Sequence, residues 1–525
     1  MKTTLTLLYI RRMVMLLAVC LMVTTADAGT DIIRWKDYEP QPQMTRNGQG
    51  GLNYADANWD GDRIYRQLVV LVSFADCDFS LDSPRATYDD IFNKPGYNQR
   101  SGPGCVADYF RDQSAGLLNL QFDVYGPYQV SSKAKGTTSG RNWGRSILSE
   151  ATRLLVEDQP DIDYSVYDWD GDGQVNQVIF VYAGYAGNQA GLENEGYIWP
   201  NTSSFGAVTT PDGYKISDYS ASGELWINNT SCGIGTICHE FSHSFGLPDI
   251  YPTSQSANLP MTVVDEWDLM DGGPATNRGW CPPNYSPLEK MIMGWLEPEE
   301  LTADTVIQDL KPVAEGGGAV YLLRHTDSEF YLLENRQWSG WDLGLPGRGL
   351  VIYHVKFDQY RWQGNTVNNV SGQPYYSIVT ADNMNYDDWL ALHLARYGNR
   401  SPYLNTGMMN STLMSTAAYP WQTDSTTFVN SELSATSVPA ALMYEADANG
   451  EKVFSMAISR ITQHADGTVS FAVRTGRGDG ITAPKATVTQ TGIYTLAGRR
   501  LRDDIPQAQL PKGIYIIDGQ KIVKP

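Results

Sequence analysis

The spacing of apolar and polar residues divides the chain into two regions of different secondary structure. In the first, short apolar or alternating runs, typical of strands, lie between amphipathic stretches, typical of helices. Strands are predicted at residues 66–74, 118–124 and 175–183, and helices at residues 106–114 and 143–157 and around Ile234, Ile237, Phe241 and Phe245. This order predicts an α+β domain over residues 64–299.

The second region, residues 300–475, contains short β-type runs separated by Gly, Asp and Asn turns. Such runs lie at 320–323, 330–334, 349–353 and 468–473. Several short strands with frequent turn residues are typical of a β-sandwich, which is the fold we expect here. A linker rich in Gly, Asp and Pro follows at 476–484, and residues 485–525 form two hairpin-like units, which predict a small β module.

The first 28 residues have the pattern of a secretory signal peptide. Basic residues precede an apolar stretch at 13–23, and Ala26-Asp-Ala28 is a small-x-small cleavage site. The stretch is too short for a stable membrane span. Cys20 raises the alternative of a lipoprotein signal, but Val19 before it and the apolar residues after it argue against lipidation. We expect a secreted or cell-surface protein, with a leader or short prosegment at 29–63.

Charge and cysteine content exclude several classes of protein. The net charge of −20 argues against nucleic acid or an anionic membrane as a partner. Five Cys remain after the signal peptide, and an odd number over so long a chain does not indicate a disulfide scaffold. Cys77 can pair with Cys105, or Cys232 with Cys281; the sequence leaves both pairings open.

The most informative segment is the motif H-E-x-x-H-x-x-G-x-x-D, which begins at His239. His239 and His243 are four residues apart, so on a helix both imidazoles reach one metal ion. Glu240 is turned by about 100° on that helix and suits a general base. Gly246 can adopt positive φ and end the helix, which lets Asp249 supply a third ligand. Two His, one carboxylate and an open water position predict a catalytic zinc site.

Two alternatives concern these residues. Bare H-E-x-x-H also occurs in helices whose histidines are ordinary core residues, but the added Gly and Asp at fixed offsets favour the metal site. A thermolysin-like site would instead take a later carboxylate such as Glu266 as its third ligand. Cys238 points away from both His on a helix, which predicts a buried thiol. Met270, in a Gly-rich turn after the motif, is expected to form an apolar floor beneath the ligands.

An acidic loop precedes the motif. Asp168, Asp170 and Asp172 alternate around a glycine turn, as in the start of a calcium loop. Position twelve is Ile179 rather than Glu, which excludes a complete EF-hand. The two remaining interpretations are a partial Ca²⁺ site and a plain acidic turn.

The chain resembles the immune inhibitor A family of secreted zinc metallopeptidases, which are metzincin-like. The resemblance is carried by His239 to Asp249, by the Met-turn Trp267-Asp-Leu-Met270, and by supporting segments at 106–114, 285–295 and 330–336. It implies His239, His243 and Asp249 as Zn²⁺ ligands, Glu240 as catalytic base, bound Ca²⁺ and cleavage of proteins. The tail resembles the C-terminal sorting domain of type IX secretion, which implies that secretion machinery as a partner.

These patterns together predict an α+β metzincin-like catalytic domain with a zinc helix, then a β-sandwich and a small β C-terminal module. The predicted function is a secreted zinc-dependent endopeptidase that acts on proteins or peptides. A different class of function is a zinc-containing surface adhesin with lapsed catalysis. The presence of Glu240 argues against the adhesin, because a binding protein has no need of a base.

Overall fold

The computed structural model describes residues 59–476, with gaps at 98, 137–141, 190–191, 193–194, 227, 255–262, 316–317, 371, 385–413 and 423–428, and three strand segments after residue 492. The predicted signal peptide, Cys20, most of the leader and most of the tail therefore lie outside the described residues. Within the described part of the chain, no helix is long and apolar enough to cross a membrane.

The first sheet has five strands, which are β1 (Ile64–Ser73), β2 (Asn119–Gln129), β3 (Val178–Tyr185), β4 (Asn201–Thr209) and β5 (Lys215–Leu225). Their order across the sheet is β2-β1-β3-β5-β4. The pairs β1–β2, β1–β3 and β3–β5 are parallel, whereas β4 runs antiparallel to β5 at the edge. The central strands contain continuous apolar runs, residues 68–72 in β1 and residues 178–183 in β3, as expected for strands of a parallel sheet that are buried on both faces.

Helices pack around this sheet. They are α1 (Pro84–Asn93), α2 (Val106–Gln113), α3 (Arg145–Asp158) and α4 (Gly235–His243), and α5 (Pro287–Ile292) follows them. All nine residues of α4 are buried. The ring of Phe110 on α2 lies edge-on to Phe241 on α4, with 5.3 Å between ring centroids, and to Phe245, at 5.8 Å. Aromatic contacts therefore anchor α4 in the core.

Downstream residues form further sheets. Their strands are β6 (Glu299–Glu300), β7 (Thr305–Leu310), β8 (Tyr321–Arg324), β9 (Glu329–Arg336), β10 (Gly349–Lys356), β11 (Tyr376–Ile378), β12 (Trp421–Gln422), β13 (Val429–Asn430), β14 (Met456–Gln463), β15 (Val469–Thr475), β16 (Ile493–Thr495), β17 (Gly513–Ile517) and β18 (Gln520–Lys524). One sheet has five strands in the order β11-β10-β9-β8-β6, and another has three in the order β14-β15-β7. The two small sheets are β12-β13 and β16-β17-β18, and the short helix α6 (Gln359–Gln363) follows β10 in the chain.

Strand β9 is buried along its whole length because both faces of its sheet are covered. Phe330 and Leu332 belong to the hydrophobic cluster that also contains the first sheet and α4. Tyr331 and Leu333, on the opposite face, belong to a second cluster shared with β14 and β15. The downstream sheet thus packs directly against the region that carries the histidine motif. The division into domains and the β-sandwich assignment stay predictions.

Candidate metal centre

Helix α4 brings the two histidines of the motif together. The rings of His239 and His243 are 4.8 Å apart between centroids and nearly perpendicular, at 82°. Each side chain is almost fully buried, with 7% of the residue exposed. This is the arrangement expected of residues four apart on one helix face.

Asp249 completes the cluster. The chain leaves α4 through Gly246, whose φ of +83° is in the left-handed region that glycine tolerates. After this turn, Oδ1 of Asp249 lies 3.3 Å from Nε2 of His239 and 3.3 Å from Nε2 of His243. One ligand-type atom from each of the three residues lies within 4.8 Å of the others.

Hydrogen bonds fix which nitrogen of each histidine faces the cluster. His239 donates from Nδ1 to the carbonyl of Leu269 (2.9 Å), and His243 donates from Nδ1 to the carbonyl of Leu247 (2.8 Å). A carbonyl oxygen only accepts, so Nδ1 carries the hydrogen and Nε2 keeps its lone pair in the neutral ring. Metal-binding histidines commonly have such a second partner, which sets the tautomer.

The chemistry of these donors fits a divalent cation. Oδ1 of Asp249 is buried and accepts no hydrogen bond from the described residues, which is costly unless a cation or proton occupies the space beside it. Burial would raise the pKa of Asp249, but His243 and His239, when protonated, lower it well below its usual value. Two imidazole nitrogens and one carboxylate oxygen are the ligand set of a catalytic zinc.

Protons compete with a cation for the same atoms. Burial lowers the pKa of His239, but the nearby carboxylates of Asp249 and Glu240 outweigh this effect and raise the pKa to about 9. A metal ion must displace that proton to bind.

Asn365 holds the other oxygen of Asp249 and was missed by the sequence analysis. The side-chain Nδ2 of Asn365 donates to Oδ2 of Asp249 (2.8 Å), and its side-chain Oδ1 accepts from the Asp249 backbone N–H (2.7 Å). Asn365 lies 116 residues downstream of Asp249 and follows α6. No spacing rule links a residue so far away to the motif.

Glu240 lies beside the cluster and is contacted from the edge strand. Thr202 on β4 lies with its hydroxyl 3.3 Å from Oε2 of Glu240, and it donates to the Glu240 backbone carbonyl at 2.5 Å. Burial raises the pKa of Glu240, whereas the charges of His239 and His243 lower it, and the net shift is upward. A buried carboxylate with a raised pKa is suited to proton transfer.

Tyr251 is a second residue near the site that the motif did not indicate. Burial and the charges of Asp249 and Glu240 raise the pKa of its phenol well above the usual value. The phenol therefore stays protonated beside two carboxylates.

The backbone of the turn that contains Met270 is hydrogen-bonded to the segments that carry His239 and Asp249. Met270 is fully buried, and its carbonyl accepts from the N–H of Ile250 (2.8 Å), next to Asp249. The preceding carbonyl, of Leu269, accepts from His239. Asp268 accepts from the Met270 N–H (2.7 Å) and so shapes the turn. This turn therefore contacts both the helix that carries His239 and the segment that carries Asp249.

Glu266 and Cys238 lie outside the cluster formed by the described residues. Glu266 lies in the 3-10 turn Asp265–Trp267, where burial raises its pKa to about 7. Cys238 is fully buried, as expected. Cys77, Cys105, Cys232 and Cys281 are all free, as is Cys238, so neither of the two pairings left open is formed.

The acidic loop brings its three carboxylates together. Asp168, Asp170 and Asp172 place one oxygen each within 4.8 Å of the others. Asp168 accepts from the backbone N–H groups of Gly171 (2.8 Å) and Gly173 (2.9 Å), which shape the loop. Partial desolvation of its carboxyl group and then the charge of Asp172 raise the pKa of Asp170, although the residue is exposed. Such repulsion is relieved by a proton or a cation.

Residues 52–293 match the catalytic domain of the immune inhibitor A peptidases of family M6. This match supports a metallopeptidase. The matched segment includes both histidines, Glu240 and Asp249, but it ends before Asn365 and before the downstream sheets. Among curated proteins, none matches the sequence of this chain.

Proposed function

We propose that the chain is an exported, zinc-dependent endopeptidase that hydrolyses peptide bonds within proteins. The observation that carries the proposal is the convergence of His239, His243 and Asp249 around one buried position, with Glu240 beside it. The family match supports the peptidase activity, and such metallopeptidases typically use zinc.

His239, His243 and Asp249 would hold the zinc ion. A zinc ion held there would polarise the scissile carbonyl and lower the pKa of the attacking water. Glu240 accepts the proton of that water and returns it to the nitrogen of the leaving amine. Burial raises the pKa of Glu240, which makes this carboxylate a better acceptor for that proton.

Strand β4 suggests how a protein substrate is held. It is the edge strand of the first sheet, with β5 as its neighbour, and Thr202 on it contacts Glu240. An extended peptide can pair with the backbone of such an edge strand. That pairing recognises backbone rather than particular side chains, which suits an enzyme acting on proteins.

The experiment is to incubate the purified chain with an unfolded protein and to identify the new termini by mass spectrometry. We expect cuts at internal peptide bonds, which cease when a chelator removes the metal. A surface adhesin with lapsed catalysis would bind zinc and leave the substrate whole.

We also propose that Asp168, Asp170 and Asp172 bind Ca²⁺. Calcium in excess of its dissociation constant should raise the melting temperature by on the order of 5 °C, because it binds only the folded state. Asp170→Ala should reduce that rise, whereas Asp62→Ala, which removes an equal charge from an exposed turn, should not. Identical melting of the native chain with and without calcium would leave only an acidic turn.

Export is proposed from the N-terminal pattern, and the tail from about Gly492 is proposed as an address for type IX secretion. Deleting the tail should preserve activity of the purified enzyme but retain it in the periplasm of a type IX-competent host. Appearance of the truncated enzyme outside such cells would contradict the sorting role.

A further inference from the structure

Six hydrogen bonds join the segment that carries Asp249 to a segment more than 100 residues downstream. The two segments are residues 249–254 and 365–369. Four of the bonds do not involve the Asp249 carboxylate or N–H. They run from Thr253 Oγ1 to the Asn365 carbonyl (2.7 Å), from Asn369 Nδ2 to Thr253 Oγ1 (2.9 Å), from the Ser254 N–H to Asn369 Oδ1 (3.2 Å), and from Asn368 Nδ2 to the Ile250 carbonyl (2.7 Å).

The remaining two bonds act on the metal ligand itself. The Asn365 side chain accepts from the Asp249 N–H and donates to Asp249 Oδ2. This pairing fixes the amide orientation, because only its oxygen can meet an N–H and only its nitrogen can meet a carboxylate. It leaves Oδ1 as the oxygen that faces both histidines.

A carboxylate rotates easily about its last side-chain torsion, whose energy profile is broad. With Oδ2 held by Asn365, that rotation is restricted before any metal arrives. The backbone at Asn365 has a φ of +53°, which asparagine tolerates better than most residues. A strained conformation of this kind is expected where surrounding contacts determine the geometry.

We propose that Asn365 is a positioning residue for the zinc site: it orients Asp249 so that one chosen oxygen binds the metal. This inference rests on the proposed zinc site. It also extends that site beyond the segment matched by the peptidase family, since the match ends at residue 293. The downstream region thereby contributes to metal affinity without supplying a ligand.

The test is the zinc dissociation constant of the full chain, measured by competition with a chelator of known affinity. Asn365→Gly removes both side-chain bonds and still permits the positive φ. We expect zinc to bind about 10–100-fold more weakly, the range typical of lost partners of metal ligands. The matched control is Asn369→Ala, which removes two bonds between the same segments but none to Asp249, and should change zinc affinity much less.

The melting temperatures of the zinc-free variants distinguish a loss of positioning from a loss of stability. Each variant loses two hydrogen bonds, so both melting temperatures should fall by a similar amount, and a difference in zinc affinity then reports positioning. If Asn365→Gly does not fold, Asn365→Asp replaces the donor with an acceptor at nearly constant size. It should alter the visible absorption spectrum of the cobalt-substituted enzyme, which reports ligand geometry.

Equal zinc affinity in Asn365→Gly and Asn369→Ala, or an unchanged cobalt spectrum in Asn365→Asp, would overturn the positioning role. Either result would leave the proposed function standing if the native chain binds one zinc that Asp249→Ala loses. Failure of the native chain to bind zinc would instead overturn both proposals.

Discussion

Glu240→Ala is expected to lower kcat by about three orders of magnitude while the protein remains folded and keeps its zinc. The substitution removes the group that takes the proton from water and delivers it to the leaving amine, a contribution of about 10²–10⁴-fold in enzymes. The proposed ligands His239, His243 and Asp249 are unchanged in this variant. The measurement is kcat on a quenched peptide, together with metal content determined on the same sample.

The control for this variant is Cys238→Ser, on the same buried helix but outside the cluster formed by the described residues. It should keep kcat within a few-fold of the native value if it folds. Near-native proteolysis by Glu240→Ala with one zinc bound would contradict the role given to Glu240.

Asp249→Ala is expected to weaken zinc binding by more than about a hundredfold, since it removes a ligand rather than one of a ligand's partners. Zinc should then be lost on dialysis, and activity with it. Glu266→Ala should keep its zinc, because Glu266 lies apart from the His239–His243 pair in the described structure. Metal analysis after dialysis distinguishes the two variants. Zinc loss from Glu266→Ala with retention by Asp249→Ala would favour a thermolysin-like site.

Much of the first region could be predicted because its signals are local. The strand predicted at 66–74 is confirmed as β1, and the helix predicted at 106–114 is confirmed as α2. Both have strong apolar patterns. The motif lies within one helix and the turn that follows it, so the convergence of His239, His243 and Asp249 depends only on short-range geometry.

Strand β4 has no strong apolar pattern of this kind. It lies at the sheet edge and is rich in Asn, Ser and Thr, so its sequence lacks the apolar pattern that predicts a strand. The contact between Thr202 on this strand and Glu240 could therefore not be predicted from the sequence. Tertiary position, rather than an apolar pattern, places this strand beside the site.

The contribution of Asn365 is the clearest case of information absent from local sequence. Nothing near residue 365 identifies it as a partner of Asp249. The contact exists because the downstream sheet packs on the same hydrophobic cluster as α4, which brings residues 365–369 onto the segment after the motif. The residue pattern predicts this region as a separate unit, and that prediction gives no reason to expect a shared site.

Stepwise return of zinc to the chelated full-length protein provides the decisive measurement, with bound metal and peptide cleavage followed together. The proposed function predicts that activity rises linearly and stops at one zinc per chain, and that Glu240→Ala binds the same single equivalent without gaining activity. Full cleavage by the metal-free protein, or one bound zinc with no cleavage by the native chain, would contradict it.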